Sequence, residues 1–254
     1  MSDLRFFAAC SLGIEPALET ELRALGAKGI ETRRGGIAFR GDRRLGYAAN
    51  LWLRSAIRVQ EQLTSAWVRD GDELYEAACR VPWEDLMTPD QTLAVYASVR
   101  DTPGLKHSGY AALRVKDAMV DRLREKRGRR PDVDTKRPDV RVRFQVLKGS
   151  LRLYRDWSGT SLHKRGWRRI QVKSPLNEAI AAGLLILTGW DRSSPLVDPM
   201  CGSGTFPIEA AWWALDRAPG LERPFAFERW IDFDKKLWFE LLEEASTRVK
   251  QGLD

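Results

Sequence analysis

Eight residues late in the sequence, Asp198-Pro199-Met200-Cys201-Gly202-Ser203-Gly204-Thr205, constrain the fold more than any other stretch. A short apolar run, Pro195-Leu196-Val197, precedes them, and Phe206 to Leu215 reads as a helix. Strand, glycine turn and helix N-terminus in that order predict the ligand corner of a doubly wound α/β fold. Gly202 and Gly204 admit backbone angles closed to other residues and let a ligand approach the main chain. Asp198 stands so late among the 254 residues that the cofactor domain is expected to begin here and to be cut off.

Other glycine turns fit less well. No Gly-Lys-Ser/Thr follows, so this is not a Walker A loop, and Pro207 stands where a dinucleotide fingerprint needs its third glycine. The form Asp-Pro-x-x-Gly-Ser-Gly-Thr resembles the first motif of S-adenosylmethionine-dependent methyltransferases that act on amino groups. That resemblance implies a cofactor site over Asp198, Pro199, Met200, Cys201, Gly202, Ser203, Gly204 and Thr205. The two glycines would make room for the methionine part, and Asp198 would meet its ammonium group directly or through water. The alternative is an ordinary β-to-α turn with no ligand.

The net charge of +7 is unevenly spread. Residues after Gly220 carry eight acids and six bases, so the basic excess lies wholly in the preceding part and favours a polyanionic partner. Cys10, Cys79 and Cys201 are too scattered for a disulfide framework or a metal-ligand set, and no metal is expected. No apolar run approaches the ~20 residues of a membrane span. Nor does the N-terminus read as a signal peptide, so the cytoplasm is the expected location.

Periodicity supplies the organisation. Arg5 to Ser11 reads as a strand, Glu15 to Leu25 as an amphipathic helix, Gly36 to Arg40 as a strand, and Asp42 to Ser55 as a helix capped by Asp42. Arg58 to Val68 and Thr92 to Val99 are further strands, and Asp72 to Cys79 and Tyr110 to Lys126 are helices. From Val140 to Leu147 the alternation is clean, with Val140, Val142, Phe144 and Val146 on one face and Arg141, Arg143 and Gln145 on the other. Leu151 to Asp156 returns as a hairpin, and Ser158 to Ser174 reads as a linker.

Two basic clusters stand out. Arg122, Arg124, Lys126, Arg127, Arg129 and Arg130 share nine residues with one acid, Glu125. They are either an RNA contact or simply the solvated end of a helix, where cations suit the dipole. From Trp157 to Asn177 there is no acid, whereas Lys164, Arg165, Arg168, Arg169 and Lys173 all fall there with Trp167 and His163. Cations neutralise phosphates and an indole stacks on an unpaired base, so this cluster is read as a nucleic-acid contact. Arg141 and Arg143 give the Val140 strand a basic outer face. His107 and His163 lack a carboxylate at ligand spacing and are read as polar contacts.

Separated blocks then carry a family resemblance. They are Gly35-Gly36-Ile37-Ala38-Phe39-Arg40-Gly41, Tyr110 to Ala118, Arg130 to Asp134, Leu162-His163-Lys164-Arg165-Gly166-Trp167-Arg168, Asp198 to Thr205, and Asp216 to Leu221. In this order the chain resembles bacterial large-subunit rRNA methyltransferases bearing a THUMP domain, which act on the exocyclic amine of a guanine in 23S rRNA. The resemblance implies α/β and α+β architecture. A ferredoxin-like unit would span 1–44, a THUMP RNA-binding domain 45–157, a basic linker 158–175, and the start of a class I, Rossmann-like methyltransferase domain 176–254. The basic outer face at Arg141 and Arg143 is implied to be part of the RNA grip. The implied cofactor is S-adenosylmethionine. The implied partners are 23S rRNA or its precursor and the rest of the methyltransferase domain, with a second fused methyltransferase compatible.

One departure is large. The Asn-Pro-Pro-Tyr-like loop by which that family holds the target amine is absent from these residues. The catalytic residues are therefore unknown, and the chain alone is expected to be inactive. Without the neighbours of its first cofactor strand, it is also expected to leave Trp212, Trp213, Phe225, Phe227 and Trp230 partly exposed. Two further classes stay open: a non-catalytic RNA-binding or assembly module, and a DNA amino-methyltransferase sharing the same turn.

Overall fold

The computed structural model describes residues 3–168 and 176–249. They form two compact units, one of 3–59, 160–168, 176–225 and 234–249, the other of 60–159 and 226–233.

The first unit opens with β1 (Leu4–Ala9), α1 (Glu15–Ala24), β2 (Lys28–Arg33), β3 (Gly36–Gly41) and α2 (Arg43–Trp52). β3 pairs antiparallel with both β1 and β2. Phe6 stacks on Phe39 at 5.2 Å between ring centroids, and Leu18, Leu22 and Ile37 close the core around them. Asp42 caps α2 as expected, its Oδ1 accepting from the Leu45 amide at 2.9 Å. β2 carries no buried residue and no alternation, so it leaves no periodic signal in the sequence.

Three later helices belong to the same unit: α5 (Glu178–Leu187), α6 (Thr205–Ala214) and α7 (Lys235–Arg248). A Cβ on Gly183 of α5 would come within 2.5 Å of Ile14 Cγ2, so only a glycine lets this helix approach so closely. Trp238, Leu241 and Ala245 form the buried stripe of α7 at helical spacing. The Trp238 ring meets Tyr47 and Phe225 edge-on, at 5.8 and 5.5 Å.

Two expectations are corrected in this unit. Pro195-Leu196-Val197 is irregular, not a strand, and Val197 is 82% exposed. A parallel strand needs backbone partners on its flanks, and none of the described residues pairs with this run. The segment read as a linker is packed at several of its described residues, although Thr160, Lys164 and Gly166 are exposed. Leu162 and Arg165 are buried, and the Leu162 amide donates to the Ile57 carbonyl at 2.8 Å.

The second unit holds β4 (Arg58–Trp67) from Gln60 onward, α3 (Gly71–Cys79), β5 (Leu93–Arg100), α4 (Ser108–Arg127), β6 (Val140–Leu147) and β7 (Ser150–Asp156). The strands lie in the order β4-β7-β6-β5. β5 and β6 are parallel with α4 as the crossover, and the other pairs are antiparallel. The inward valines and Phe144 of β6 are buried as the alternation predicts, and Arg141, Arg143 and Gln145 face away.

A remote segment completes this unit. Ala226–Phe233 brings Phe227 and Trp230 against Trp157, each ring 5.8 Å from it. The Arg155 guanidinium lies 3.9 Å from the Trp230 ring centre and donates to Glu61 at 2.9 Å and to Asp232 at 2.8 Å. Phe227 and Trp230 are thus buried, as is Phe225 in the first unit, contrary to the exposure expected, while Trp212 and Trp213 are half-buried.

Candidate cofactor site

The glycine turn forms at the N-terminus of α6. Gly202 and Gly204 adopt φ of 52° and 74°, which side chains strain to reach. A Cβ on Gly202 would meet nothing nearer than the Met200 carbonyl at 4.0 Å, so open space lies over the turn. The Gly204 amide closes it by donating to the Cys201 carbonyl at 2.8 Å. Asp198, half-buried, accepts from the Met200 amide at 3.1 Å through Oδ1, which leaves Oδ2 free among the described residues.

No side chain caps α6, so the amides of its first turn lack a side-chain acceptor among the described residues. Pro207 removes one more donor from that first turn. A polar ligand with a carboxylate at the helix end and an ammonium at Asp198 fits this arrangement. Cys201 and Met200 are exposed at its rim.

Arg168 reaches the turn from the segment that precedes it. Its Nη1 donates to Ser203 Oγ at 2.9 Å, its Nη2 to Thr205 Oγ1 at 2.8 Å, and its Nε to Glu178 Oε1 at 2.7 Å. The guanidinium fork thereby fixes two hydroxyls of the turn to the start of α5, a geometry a lysine cannot reproduce. It also lies over the Trp167 ring at 4.6 Å.

Arg165 behaves differently from the sequence expectation. It is 2% exposed and ion-paired to Glu209 of α6 at 3.3 Å, and Trp167 donates to the same carboxylate at 3.2 Å. A buried, paired guanidinium cannot neutralise a phosphate, so Arg165 leaves the set of nucleic-acid contacts. Nearby Arg54 donates to the Arg217 carbonyl at 2.6 Å, and burial pulls its pKa down to about 10. Ser161 Oγ lies 2.8 Å from His163 Nδ1, the polar contact expected there.

Arg169 and Lys173 lie outside the described residues, and Lys164 is exposed. In the first cluster, Arg122 is bound to Glu84 at 2.6 Å, and that contact holds the Glu84 carboxyl down at about 2. Arg124, Lys126, Arg127, Arg129 and Arg130 are exposed along and beyond the end of α4. Arg141 donates to the Gly159 carbonyl at 2.6 Å and Arg143 to Asp156 at 3.1 Å. The partners Glu84, Glu178 and Glu209 went unnoticed in the sequence because they stand far from the arginines they neutralise. Among the described residues no group of three or more potential ligands could hold a metal ion, and no helix is long and apolar enough to cross a membrane.

A βαββα start, a helix-backed four-stranded sheet and an open glycine turn match, in turn, a ferredoxin-like, a THUMP and a methyltransferase-like domain. Three family models agree, in this order: the RlmL ferredoxin-like domain over 5–60, the THUMP domain over 68–156, and the RMKL-like methyltransferase domain over 165–253. The chain thus carries a ferredoxin-like, a THUMP and a methyltransferase domain in that order. It is 46% identical, over 98% of its length, to the ribosomal RNA large subunit methyltransferase K/L of Syntrophotalea carbinolica, and it spans 36% of that relative. A Listeria monocytogenes structure described as a predicted N6-adenine-specific DNA methylase superposes with a TM-score of 0.90 at 33% identity, covering 98% of this chain and 65% of that one. A putative methyltransferase complexed with SAH gives 0.89 at 31%, covering 98% and 66%.

Proposed function

We propose that the protein transfers methyl from S-adenosylmethionine to the exocyclic amine of a guanine in 23S rRNA. In this reading the chain supplies RNA grip and one wall of the cofactor site. The open glycine turn at the head of α6, held by Arg168, carries the proposal. A large-subunit rRNA methyltransferase relative and a neighbour holding SAH support it.

When bound, S-adenosylmethionine supplies an electrophilic methyl carbon on a positively charged sulfur. The chain's part is positional. Asp198 would hold the cofactor ammonium, the α6 N-terminus would receive its carboxylate, and Gly202 would keep the approach clear. Rate then depends on aligning the amine with the methyl carbon, and the guanine must leave any stack to reach it.

The test is isothermal titration of S-adenosylmethionine into wild type and Gly202→Val. The variant should lose measurable binding while RNA binding persists, and undiminished affinity would overturn the reading. A DNA amino-methyltransferase is the competing reading, given how the Listeria neighbour is described. Tighter binding to duplex DNA than to structured RNA would favour it.

A further inference from the structure

One face of the β4-β7-β6-β5 sheet is open, and its composition is specific. The paired registers lay residues in rows across the strands. Trp67 stands opposite Ser150, which stands opposite Leu147, which stands opposite Arg100. Two residues along, Ser65, Arg152, Gln145 and Ser98 form the next row, and Arg143 pairs with Tyr96 beyond it. None of these rows contains an acid.

Trp67 is 70% exposed, an unusual outlay of apolar surface. It is held in place nonetheless. A Cβ on Gly149, at φ 81°, would come within 2.8 Å of the indole, so the ring lies against the β6–β7 turn. Arg100 is exposed and Arg152 half-exposed, and neither forms an ion pair among the described residues. The Arg143 guanidinium sits 4.6 Å from the Tyr96 ring centre. A fixed exposed indole beside unpaired arginines and amide and hydroxyl groups matches the demands of an unpaired nucleic-acid strand, which offers base faces and phosphates together.

We propose that this open face binds a single-stranded segment of RNA, with Trp67 stacking on a base and Arg100 and Arg152 meeting phosphates. The proposal rests on the RNA reading above and adds the surface and the form of RNA it takes. The basic end of α4 then contributes long-range attraction and not the stacked contact.

The test uses a fluorescein-labelled oligouridine and a blunt RNA duplex of equal length, read by anisotropy over a salt series. Wild type should prefer the single strand. Trp67→Ala should weaken that binding roughly ten-fold, within the range for loss of one base stack, while Trp67→Phe retains most of it. Arg100→Ala and Arg152→Ala should each lower the salt slope by about 0.7. Photo-cross-linking with 4-thiouridine should map to Trp67 or its strand neighbours. If wild type binds neither RNA, the RNA reading itself fails. If it binds but Trp67→Ala is silent and cross-links fall at Arg124 to Arg130, only the surface assignment fails.

Discussion

Arg165 and Arg168 stand three residues apart in a stretch without acids, yet they serve different ends. Arg165 is sealed against Glu209, with side chains 1% and 0% exposed. Arg165→Ala should leave Glu209 as a buried charge without its cation and destabilise the first unit by about 3–5 kcal/mol, measured by urea denaturation. RNA affinity of the folded fraction should not change. Arg168→Lys should keep the charge but lose the fork across Ser203 and Thr205. The expected outcome is roughly ten-fold weaker S-adenosylmethionine binding by calorimetry, about 1.4 kcal/mol, with little loss of thermal stability. The glycine turn was legible because its signal is local and its residue types are the mechanism. The fate of the arginines was not, since the sequence shows only near neighbours and Glu178 and Glu209 lie 10 and 44 residues away.

At the scale of elements, α4 is tied to the short helical turn Trp83–Asp85 by Arg122 and Glu84. Folding lowers the Glu84 pKa, so the stabilisation is fully present above the carboxyl's unfolded value of about 4.5 and is lost as pH falls towards about 2. Glu84→Gln should therefore lower the melting temperature at pH 7 and flatten the acid dependence between those limits. An unchanged slope in a pH-resolved melting series would remove the pair from any role in acid stability. Alternation made β6 legible to the residue, and a capping Asp made α2 legible. β2 was missed because an exposed edge strand needs no hydrophobic pattern, and the run before Asp198 was overread because apolar content alone does not provide pairing partners.

On the scale of the molecule, sequence ranges and packing units part company. The methyltransferase match runs over 165–253, yet Ala226–Phe233 within it packs in the unit that contains the THUMP match. Trp230→Ala would remove a ring set against Trp157 and Arg155. It should cost about 3–5 kcal/mol and speed amide exchange in β7, with the rest of the sheet following if that unit unfolds as one. Exchange confined to 226–233 would show that the segment is peripheral. Sequence reading found the order of domains because each carries its own local motifs. It could not find this return of the chain, because nothing in eight residues says which distant surface they cover.

That return also sets a timetable on the ribosome. The sheet strands of the second unit are all made by Asp156, but Phe227, Trp230 and Asp232 arrive only after roughly 70 further residues. At about 5–20 residues per second, the nascent sheet waits roughly 4–15 seconds with Trp157 uncovered and Arg155 lacking one of its two carboxylates. Synthesis speed through 160–225, and any chaperone that shields an exposed indole meanwhile, thus become determinants of yield. Slowing translation there should raise the aggregated fraction even though no residue of the finished protein has changed.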